Sequence, residues 1–373
     1  MGRSEWQPCN IKNVNHQMAD NFQSALTERE GIEQPMQVNP NLVKRKRRNL
    51  TLEEYVQGIL SRDRMILSRA ITMVESANPE HLSLAQDIIE QCLPYSGNSL
   101  RIGITGVPGV GKSTFIEAFG KLLTGLGHKV AVLAIDPSSE RTKGSILGDK
   151  TRMESLSVDP DAFIRPSPSG STLGGVARKT RETIVLCEAA GFDVIIVETV
   201  GVGQSETVVK SMVDFFLLLM LAGAGDELQG IKRGIMEMAD GLIINKADGD
   251  NKTKAIAAQA QYRAALKLFP KNENNWDVPV EVCSALEGFA IDKVWEMITR
   301  YAEQTRNNGY FERNRAEQNV NIFYNWINFT LQNNFFNNTK IQQQIEELLP
   351  LIRNKKISPY KAAAELMTTY TGR

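Results

Sequence analysis

The chain has 373 residues, of which 42% are hydrophobic and 23% charged, the composition of a soluble globular protein of about two domains. Its 43 Lys and Arg residues balance its 43 Asp and Glu residues, and this balance argues against a protein that binds nucleic acid mainly by electrostatic attraction. The longest apolar run, 215–222, is well short of the roughly 18 residues that cross a bilayer. We therefore predict neither a nucleic-acid partner nor a membrane partner.

Cysteine and histidine are too few and too scattered to indicate a disulfide framework or a structural zinc site. The cysteines are Cys9, Cys92, Cys187 and Cys283, no CxxC pattern occurs, and there are three histidines. The N-terminus lacks the apolar core of a secretory signal and is too acidic for a typical organelle transit peptide. These features predict a cytoplasmic protein.

Changes in composition divide the chain into four predicted segments. Residues 1–48 are rich in Asn, Gln, Glu and Pro and form a predicted flexible tail that ends in the basic run 44–48. That run is able to bind an anionic partner, but a solvated linker is the simpler interpretation. Residues 49–97 form a predicted N-terminal helical segment, 98–300 an α/β domain, and 301–373 a C-terminal helical segment.

The N-terminal helical segment opens with a helix-start pattern. Thr51 is followed three residues later by Glu54, which is the spacing of a capping box. The apolar positions that follow predict one helix over 52–77 and a second over 79–92, the second beginning with a proline.

Short aliphatic runs that alternate with helix-length segments characterise the α/β domain. Runs that are apolar on both faces are typical of a mostly parallel sheet that helices cover on both sides. The runs are 101–105, 129–135, 162–165, 193–198, 215–221, 241–245 and 280–283.

The C-terminal segment is rich in Asn and Gln and carries apolar residues at helical spacing. These helices are too few for a core of their own, so we expect them to pack on the α/β domain or on another subunit. The apolar positions are Val320, Phe323, Trp326, Ile327 and Leu331, followed by Ile341, Ile345, Leu348 and Leu349.

The first aliphatic run leads directly into a phosphate-binding loop. Residues 106–114 match the pattern GxxxxGK[ST] in full, and a helical pattern follows. The glycines let backbone N–H groups converge on phosphate oxygens, and the start of the helix adds unpaired donors. Lys112 supplies a charge to the terminal phosphates, and the Ser113 hydroxyl is a ligand for Mg²⁺. The sequence predicts a P-loop NTPase whose phosphate-binding residues are Gly106, Val107, Pro108, Gly109, Val110, Gly111, Lys112, Ser113 and Thr114.

A guanine-binding pattern, NKxD, follows the aliphatic run 241–245. The carboxylate of Asp248 can accept hydrogen bonds from both N1–H and the exocyclic amine of guanine, whereas adenine offers neither donor there. A site built on such bonds rejects the wrong base by about 10⁴–10⁵-fold. We expect Lys246 to lie along the base and Asn245 to tie this loop to the phosphate-binding loop. A second loop, formed by Ser284, Ala285 and Leu286, fits the backbone that contacts the guanine carbonyl.

Acidic residues end two further aliphatic runs. Asp136 follows the run 129–135, and Glu198 ends the run 193–198 next to the mobile glycine of Glu198-Thr199-Val200-Gly201. An acid half-buried at a strand end needs a cation or a donor, and this position suits a γ-phosphate sensor or a metal ligand. Both acids are therefore candidates for the Mg²⁺ shell, directly or through water.

Several longer motifs closely resemble those of the MeaB/ArgK/MMAA family of P-loop GTPases. The resemblance covers about residues 50–310, and several of the motifs are longer than any general GTPase signature. They lie at 102–113, 134–139, 148–153, 165–168, 174–177, 198–206 and 224–232. This family chaperones adenosylcobalamin-dependent acyl-CoA mutases, chiefly methylmalonyl-CoA mutase. The resemblance thus implies a P-loop NTPase fold with N-terminal and C-terminal helical extensions, and a GTPase with this chaperone role.

The resemblance also implies roles residue by residue. Asp149 would help to hold Mg²⁺ from a loop that becomes ordered with the triphosphate, and 226–232 would be a third switch that contacts the partner. The implied metal site is Ser113, Asp136, Asp149 and Glu198; the implied catalytic residues are Lys112, Asp149, Glu198 and Gly201; and the implied switch and partner-coupling residues are Arg152, Asp226, Glu227 and Lys232. No Gln follows Gly201 where Ras-like proteins carry their catalytic one, so we expect slow hydrolysis that a partner accelerates.

The implied cofactor is Mg²⁺ bound with GTP. Adenosylcobalamin would be involved only through the partner, since the chain has no evident cobalamin-binding His motif. The implied partners are the mutase, with its adenosyltransferase as a further candidate, and a second copy of the chain through the C-terminal helices. Methylmalonyl-CoA and isobutyryl-CoA mutases are equally compatible with the sequence.

Two other functions share such a nucleotide site. A nickel-type metallochaperone GTPase would need a Cys/His cluster, whereas Cys187 lies in an apolar helical pattern and Cys283 in a strand, where we expect buried apolar side chains. A kinase would need an acceptor pocket beside the γ-phosphate, a feature that the sequence does not reveal.

Overall fold

The computed structural model describes most of the chain beyond residue 49. The described residues are 50–76, 78–135, 153–166, 173–199, 205–223, 233–270 and 273–372. The predicted flexible tail 1–48 lies outside them. Among the helices in these ranges, none is both long and apolar enough to cross a membrane.

A parallel sheet forms the centre of the structure. Its strands are β1 (Leu100–Gly106), β2 (Val130–Ile135), β3 (Ala162–Arg165), β4 (Val194–Thr199), β5 (Phe215–Leu221), β6 (Gly241–Asn245) and β7 (Val280–Val282). Within the described residues the seven strands lie in the order β3-β2-β4-β1-β5-β6-β7, and each pairing is parallel. Every predicted aliphatic run is a strand to within one residue at either end, so the predicted sheet is confirmed.

Helices precede, connect and follow the strands. They are α1 (Leu52–Leu60), α2 (Arg64–Glu75), α3 (Pro79–Cys92), α4 (Lys112–Gly125), α5 (Glu154–Ser157), α6 (Leu173–Ala189), α7 (Ser205–Lys210), α8 (Arg233–Met238), α9 (Lys252–Leu266), α10 (Ile291–Asn307), α11 (Tyr310–Phe336), α12 (Thr339–Arg353) and α13 (Pro359–Thr371).

One predicted helix, 52–77, is wrong because the chain forms α1 and α2 there instead. The capping box at the start of α1 is present, since the Thr51 hydroxyl accepts from the Glu54 N–H and the Glu54 carboxylate accepts from the Thr51 N–H. The break comes at Arg62, whose φ of 66° is left-handed. Asp63 then caps α2 by accepting hydrogen bonds from the first backbone N–H groups of that helix.

Helices α4 and α10 cover one face of the sheet around β1. The rings of Phe115 and Phe119 on α4 stack with their centroids 5.6 Å apart. On the same side, Tyr301 of α10 meets Phe215 of β5 edge to face at 5.0 Å. These four rings are fully or almost fully buried in one cluster with Ile102 of β1. This packing fixes the start of α4, and with it the loop between β1 and α4.

The opposite face of β1, β2 and β4 is covered by α1, α2, α3, α6 and α7. Their apolar side chains form one buried cluster with those of the strands, among them Ile59, Ile71 and Ile88 against Leu133 and Val197. A third cluster packs α9 on β5, β6 and β7. The sheet is thus apolar on both faces because helices cover both faces.

Helix α11 is anchored at the amino ends of the central strands by Arg315. Its guanidinium donates to the two carboxylate oxygens of Asp214 at 2.8 and 2.7 Å and to the Ser99 carbonyl at 2.6 Å. It also donates to the Gly97 carbonyl. Ser99 precedes β1 and Asp214 precedes β5, so the C-terminal helices are joined to the sheet at the edge opposite the carboxyl ends of the strands.

Candidate nucleotide site

The carboxyl ends of parallel strands meet at one edge of the sheet, and this edge is where open α/β sheets bind ligands. The predicted phosphate-binding loop leaves β1 there, and Glu198 is the last residue but one of β4. Asn245 ends β6, and Ser284 lies two residues beyond β7. The fold therefore gathers the described part of the predicted site along a single edge.

The loop between β1 and α4 depends on glycines for its backbone path. Gly109 and Gly111 have φ values of 78° and 91°, which lie in the left-handed region that side chains disfavour. At Gly106 a Cβ atom would lie 2.5 Å from the carbonyl oxygen of Leu219, so only glycine allows β1 and β5 to approach so closely at that point. These positions explain the glycine spacing of the motif in steric terms.

Lys112 folds back over the loop that precedes it. Its Nζ donates to the carbonyl oxygens of Gly106 at 2.9 Å and Val107 at 3.4 Å. Burial lowers the pKa of the Lys112 ammonium below its ordinary value, and the carboxylates of Glu198 and Glu206 counteract part of this effect. The ammonium is therefore held beside the concave side of the loop, in the electrostatic range of two acids.

Two of the four predicted metal ligands lie next to each other. The Ser113 hydroxyl donates to Oε1 of Glu198 over 3.4 Å, and the Glu198 residue is only 9% exposed. One hydroxyl and one carboxylate oxygen are ligand types that Mg²⁺ prefers, so these residues fit a magnesium ion. The other two predicted ligands, Asp136 and Asp149, lie outside the described residues.

Asn245 joins the base-recognition motif to the phosphate-binding loop. Its Nδ2 donates to the Val110 carbonyl at 2.9 Å, and its Oδ1 accepts from the Ala285 N–H at 3.2 Å and from the Cys283 thiol at 3.5 Å. The side chain is 1% exposed. One amide therefore connects the ends of β1, β6 and β7, as its position in the sequence predicts.

Lys246 and Asp248 extend this connection towards the place expected for the base. Lys246 Nζ donates to the Gly109 carbonyl at 2.8 Å. The Ser284 hydroxyl donates to Oδ2 of Asp248 at 2.8 Å, which fixes the orientation of that carboxylate and leaves Oδ1 available to an outside donor. The carboxylate that is expected to recognise guanine is thus held in place by the second predicted loop.

The second loop is itself closed by backbone bonds. Ser284 and Phe289 exchange two hydrogen bonds of 3.1 and 3.0 Å, so the residues between them project from the sheet edge. Leu286, one of them, is 80% exposed. The Lys252 ammonium lies 4.9 Å from the centre of the Phe289 ring. An apolar side chain and an aromatic ring therefore lie on the base-recognition side of the site.

The structure thus brings the predicted phosphate-binding loop, Glu198 and both guanine loops together at one edge. The remaining predicted site residues lie outside the described residues: Asp136, Asp149, Arg152, Gly201, Asp226, Glu227 and Lys232.

One residue at this edge was not among the predicted site residues. Glu206, in the first turn of α7, is only 2% exposed, and its charge acts on the Lys112 ammonium. The available signal in the sequence was weak: an acid that follows Glu198 closely, within the motif 198–206. Nothing in the residue pattern distinguishes it from a solvated acid at a helix start.

Three cysteines lie among the residues that the structure describes, and all three are buried. Cys92, Cys187 and Cys283 are free thiols with no solvent exposure. Burial raises the pKa of Cys187, and that of Cys283 to about 12. Since the thiolate is the form that binds metals, these two side chains behave as buried apolar groups, as the sequence predicts.

Comparison with known proteins gives a consistent result. Residues 67–340 match the model of a protein family described as methylmalonyl-CoA mutase-associated GTPase MeaB. The chain is 46% identical to the GTPase ArgK of Escherichia coli over 316 residues, which are 85% of this chain and 96% of that protein. It is 45% identical to the mouse protein named methylmalonic aciduria type A homolog, mitochondrial, with 85% of this chain and 79% of that protein covered.

A solved structure shares the fold. The crystal structure named LAO/AO transport system kinase superposes with a TM-score of 0.67 and 39% sequence identity, over 86% of this chain and 98% of that chain. The P-loop NTPase architecture predicted from the sequence is therefore confirmed, together with the family resemblance.

Proposed function

The chain belongs to the MeaB family of methylmalonyl-CoA mutase-associated GTPases, and on that premise we propose that it binds GTP with Mg²⁺, hydrolyses the GTP and thereby acts as a chaperone of an adenosylcobalamin-dependent acyl-CoA mutase. The cycle would gate loading of the cofactor into the mutase and protect or reactivate that enzyme. In this cycle the surface of the chain would differ between the GTP-bound and GDP-bound states.

One observation carries the nucleotide part of this proposal. Asn245 and Lys246 each donate a hydrogen bond to a carbonyl of the phosphate-binding loop, at Val110 and Gly109. These bonds hold the base motif and the phosphate motif at a fixed separation on one edge of the sheet. A single nucleotide can then place its phosphates against Lys112 while its base meets Asp248.

Guanine is the base that suits the oriented carboxylate. One oxygen of the Asp248 carboxylate accepts a hydrogen bond from the Ser284 hydroxyl at 2.8 Å. The remaining lone pairs can accept from N–H donors. Guanine offers two such donors on one edge. Adenine would offer no donor to the remaining carboxylate oxygen, and an unpaired polar group in a desolvated site weakens binding strongly.

Ser113 and Glu198 would hold the magnesium ion together with Asp136 and Asp149. When bound, the ion neutralises charge that develops on the phosphate oxygens. The residues of this chain position the nucleotide: the loop amides and Lys112 hold the β- and γ-phosphates, and Glu198 faces the γ-phosphate side. Gly201 would let the following segment respond to the loss of that phosphate.

The mutase as partner is proposed from the family and from the name of the mouse relative. A ligand shifts a conformational equilibrium only through a difference in affinity for the two states. We assign that difference to the switch residues Arg152, Asp226, Glu227 and Lys232, whose contacts with the mutase would depend on the γ-phosphate. The mutase, with its adenosyltransferase, would hold the adenosylcobalamin. The cytoplasm, predicted from the sequence, is where we place this activity.

A homodimer through the C-terminal helices is part of the same proposal. Phe323 and Tyr324 on α11 are 60% and 61% exposed, and further exposed apolar residues lie one and two turns away. The stripe consists of Val320, Phe323, Tyr324, Ile327 and Leu331. Such an apolar stripe at helical spacing is typical of a surface that a second helix covers.

The sharpest test compares GTP with ATP and then adds a mutase. We expect the chain to bind GTP in preference to ATP by about 10²-fold or more in calorimetry, and to release free phosphate from GTP faster when the mutase is present. Asp248→Asn should abolish that preference. Asp250→Asn, an exposed acid two residues further on, is the matched control and should retain it.

Other outcomes identify the alternative functions. Labelled phosphate transferred from GTP to a small molecule or protein would establish a kinase, the activity in the name of the solved relative. Tight stoichiometric nickel binding would establish a metallochaperone. An Asp248→Asn variant with unchanged GTP preference would show that the base assignment is wrong.

A further inference from the structure

Glu206 lies near the proposed nucleotide site. It has no role in the proposed metal site or in base recognition. It is in the first turn of α7, which packs on β1 and β4. Val209 of the same helix lies over Gly103 of β1, where a Cβ atom would come within 2.7 Å of the valine side chain. This close packing holds α7 against β1, and Glu206 lies three residues before Val209 in the same helix.

The Glu206 carboxylate is buried but incompletely paired. The residue is 2% exposed, and its Oε2 is shielded from solvent with no hydrogen-bond partner among the residues that the structure describes. Burial of an unpaired carboxylate oxygen opposes folding. Such an atom in a native protein calls for an explanation, and a catalytic role is one of those known.

The electrostatic surroundings indicate what this atom faces. Glu198 and Glu206 both act on the ammonium of Lys112, the group that approaches the terminal phosphates in this motif. Glu198 is next to Ser113 and belongs to the proposed metal side of the site. Glu206 is the second acid beside Lys112, and the proposed metal site leaves it uncommitted.

Hydrolysis requires a group that orients the attacking water. Ras-like proteins use a Gln just after the glycine that corresponds to Gly201, but here that place is taken by Val202. We propose that Glu206 is a catalytic residue of GTP hydrolysis, which orients the attacking water beside the γ-phosphate and accepts its proton. This inference rests on the proposed GTPase function and adds a residue to it.

The water oxygen forms a bond to the γ-phosphorus while the bond from that phosphorus to the β–γ bridging oxygen breaks, and its electron pair leaves with GDP. One proton of the water passes to Oε2 of Glu206, and solvent receives it when phosphate departs. Because the carboxylate is buried and fixed by α7, it needs little rearrangement at the moment of reaction.

The test uses the full chain with the variant Glu206→Gln, which keeps the shape and removes the proton acceptor. Single-turnover GTP hydrolysis should fall by about 10²-fold or more, while the dissociation constant of a non-hydrolysable GTP analogue stays within about threefold. The matched control is Glu182→Gln, a half-buried carboxylate on α6 that is 16% exposed, and it should hydrolyse GTP at the wild-type rate.

Two further variants separate a catalytic role from a structural one. Glu206→Ala opens space for a small acid, so added formate should restore part of the hydrolysis rate, which a structural defect would not allow. Glu206→Asp retracts the carboxylate by one methylene. It should keep nucleotide affinity and lose rate, even if Glu206→Gln fails to fold.

Several results would overturn the assignment. One is wild-type hydrolysis in either folded variant, Glu206→Gln or Glu206→Asp. Another is a loss of analogue affinity that accounts for the whole loss of rate. Wild-type protein that binds GTP but never hydrolyses it would refute both this inference and the proposed GTPase activity, whereas failure of Glu206 alone leaves wild-type hydrolysis intact.

Discussion

At the scale of single residues, Asn245 shows how one side chain organises the nucleotide site. An amide has two donor hydrogens and one carbonyl acceptor, and here it bonds to Val110, Ala285 and Cys283. Val110 belongs to the phosphate-binding loop, whereas Cys283 and Ala285 belong to the segment that follows β7. A buried polar contact therefore supports the spacing of these loops, in addition to the apolar cluster that contains Val110, Cys283 and Ala285.

Asn245→Ala should weaken both the fold and nucleotide binding. The substitution leaves the buried Val110 carbonyl and Ala285 N–H without these partners. This should lower the free energy of unfolding by ~1–3 kcal/mol. We expect GTP affinity to fall by more than 10-fold, because the two loops lose their fixed separation. Urea unfolding and calorimetry measure the two effects.

Asn307→Ala serves as the control for that variant. Asn307 is an exposed asparagine at the end of α10, and its replacement should leave both measured quantities unchanged. If Asn245→Ala bound GTP as tightly as the wild type, the amide would have no part in positioning the loops.

At the scale of elements, α6 shows how buried charge is accommodated between helices. Arg178 of α6 lies 5.0 Å from the ring centre of Trp326 and 4.8 Å from that of Phe329, both on α11. One turn further along α6, Glu182 accepts from Arg178 at 3.0 Å. Two aromatic rings and one carboxylate thus surround the guanidinium and join α6 to α11.

Burial has a measurable consequence for Glu182. It raises the pKa of this carboxyl from its ordinary value of 4.5 to about 7, although Arg178 and Lys179 act in the opposite direction. The folded chain therefore holds this proton more tightly than the unfolded chain does. The resulting stability is fully present below pH 4.5 and is lost as the pH rises through about 7.

Glu182→Gln should remove this dependence on pH. We expect the free energy of unfolding of the wild type, relative to the variant, to fall by roughly 2 kcal/mol between about pH 5.5 and 8. Denaturant unfolding at several pH values measures the difference. A parallel series with Glu303→Gln, an exposed acid on α10, should show no such slope, and a flat difference for Glu182→Gln would contradict the buried-carboxyl explanation.

The elements also show what the sequence can and cannot predict. The strands were predictable because each is a short aliphatic run, and Thr51 and Asn245 were predictable because local spacing defines their roles. The break between α1 and α2 was not, since apolar periodicity continues across Arg62 and Asp63. Glu206 was missed because its burial depends on how α7 packs on β1.

At the scale of the whole molecule, the two edges of the sheet, at the carboxyl and amino ends of its strands, carry different groups of polar contacts. The carboxyl edge carries the nucleotide site, and the amino edge carries the Arg315 anchor with the buried carboxylate of Asp214. That anchor joins residues more than a hundred positions apart, so no local pattern in the sequence could reveal it. It attaches α11 to the sheet together with Gln318, whose Nε2 donates to the Val213 carbonyl at 2.9 Å.

Arg315→Met should destabilise the chain without changing the chemistry at the other edge. The Asp214 carboxylate then keeps the hydrogen bond from the Arg101 N–H but is buried without its charged partner, which should lower the free energy of unfolding by about 3–5 kcal/mol. Thermal melting should show a clear drop in Tm, while GTP affinity measured well below Tm stays unchanged. Arg313→Met, an exposed arginine one half-turn away, should melt like the wild type.

A large loss of GTP affinity in the Arg315 variant would mean that the two edges are coupled. In that case the C-terminal helices would influence the nucleotide site through the sheet. The Arg315 anchor would then have a functional role as well as a structural one.

The strand order also bears on how the chain emerges from the ribosome. β1 is made first, but its two neighbours, β4 and β5, are complete only when synthesis reaches Leu221. At bacterial and eukaryotic translation speeds this leaves the most apolar strand pairings unformed for roughly 10 s. During that interval the nascent segment from Leu100 onwards presents unpaired backbone and aliphatic side chains, which the pairing of β1 with β4 and β5 later covers.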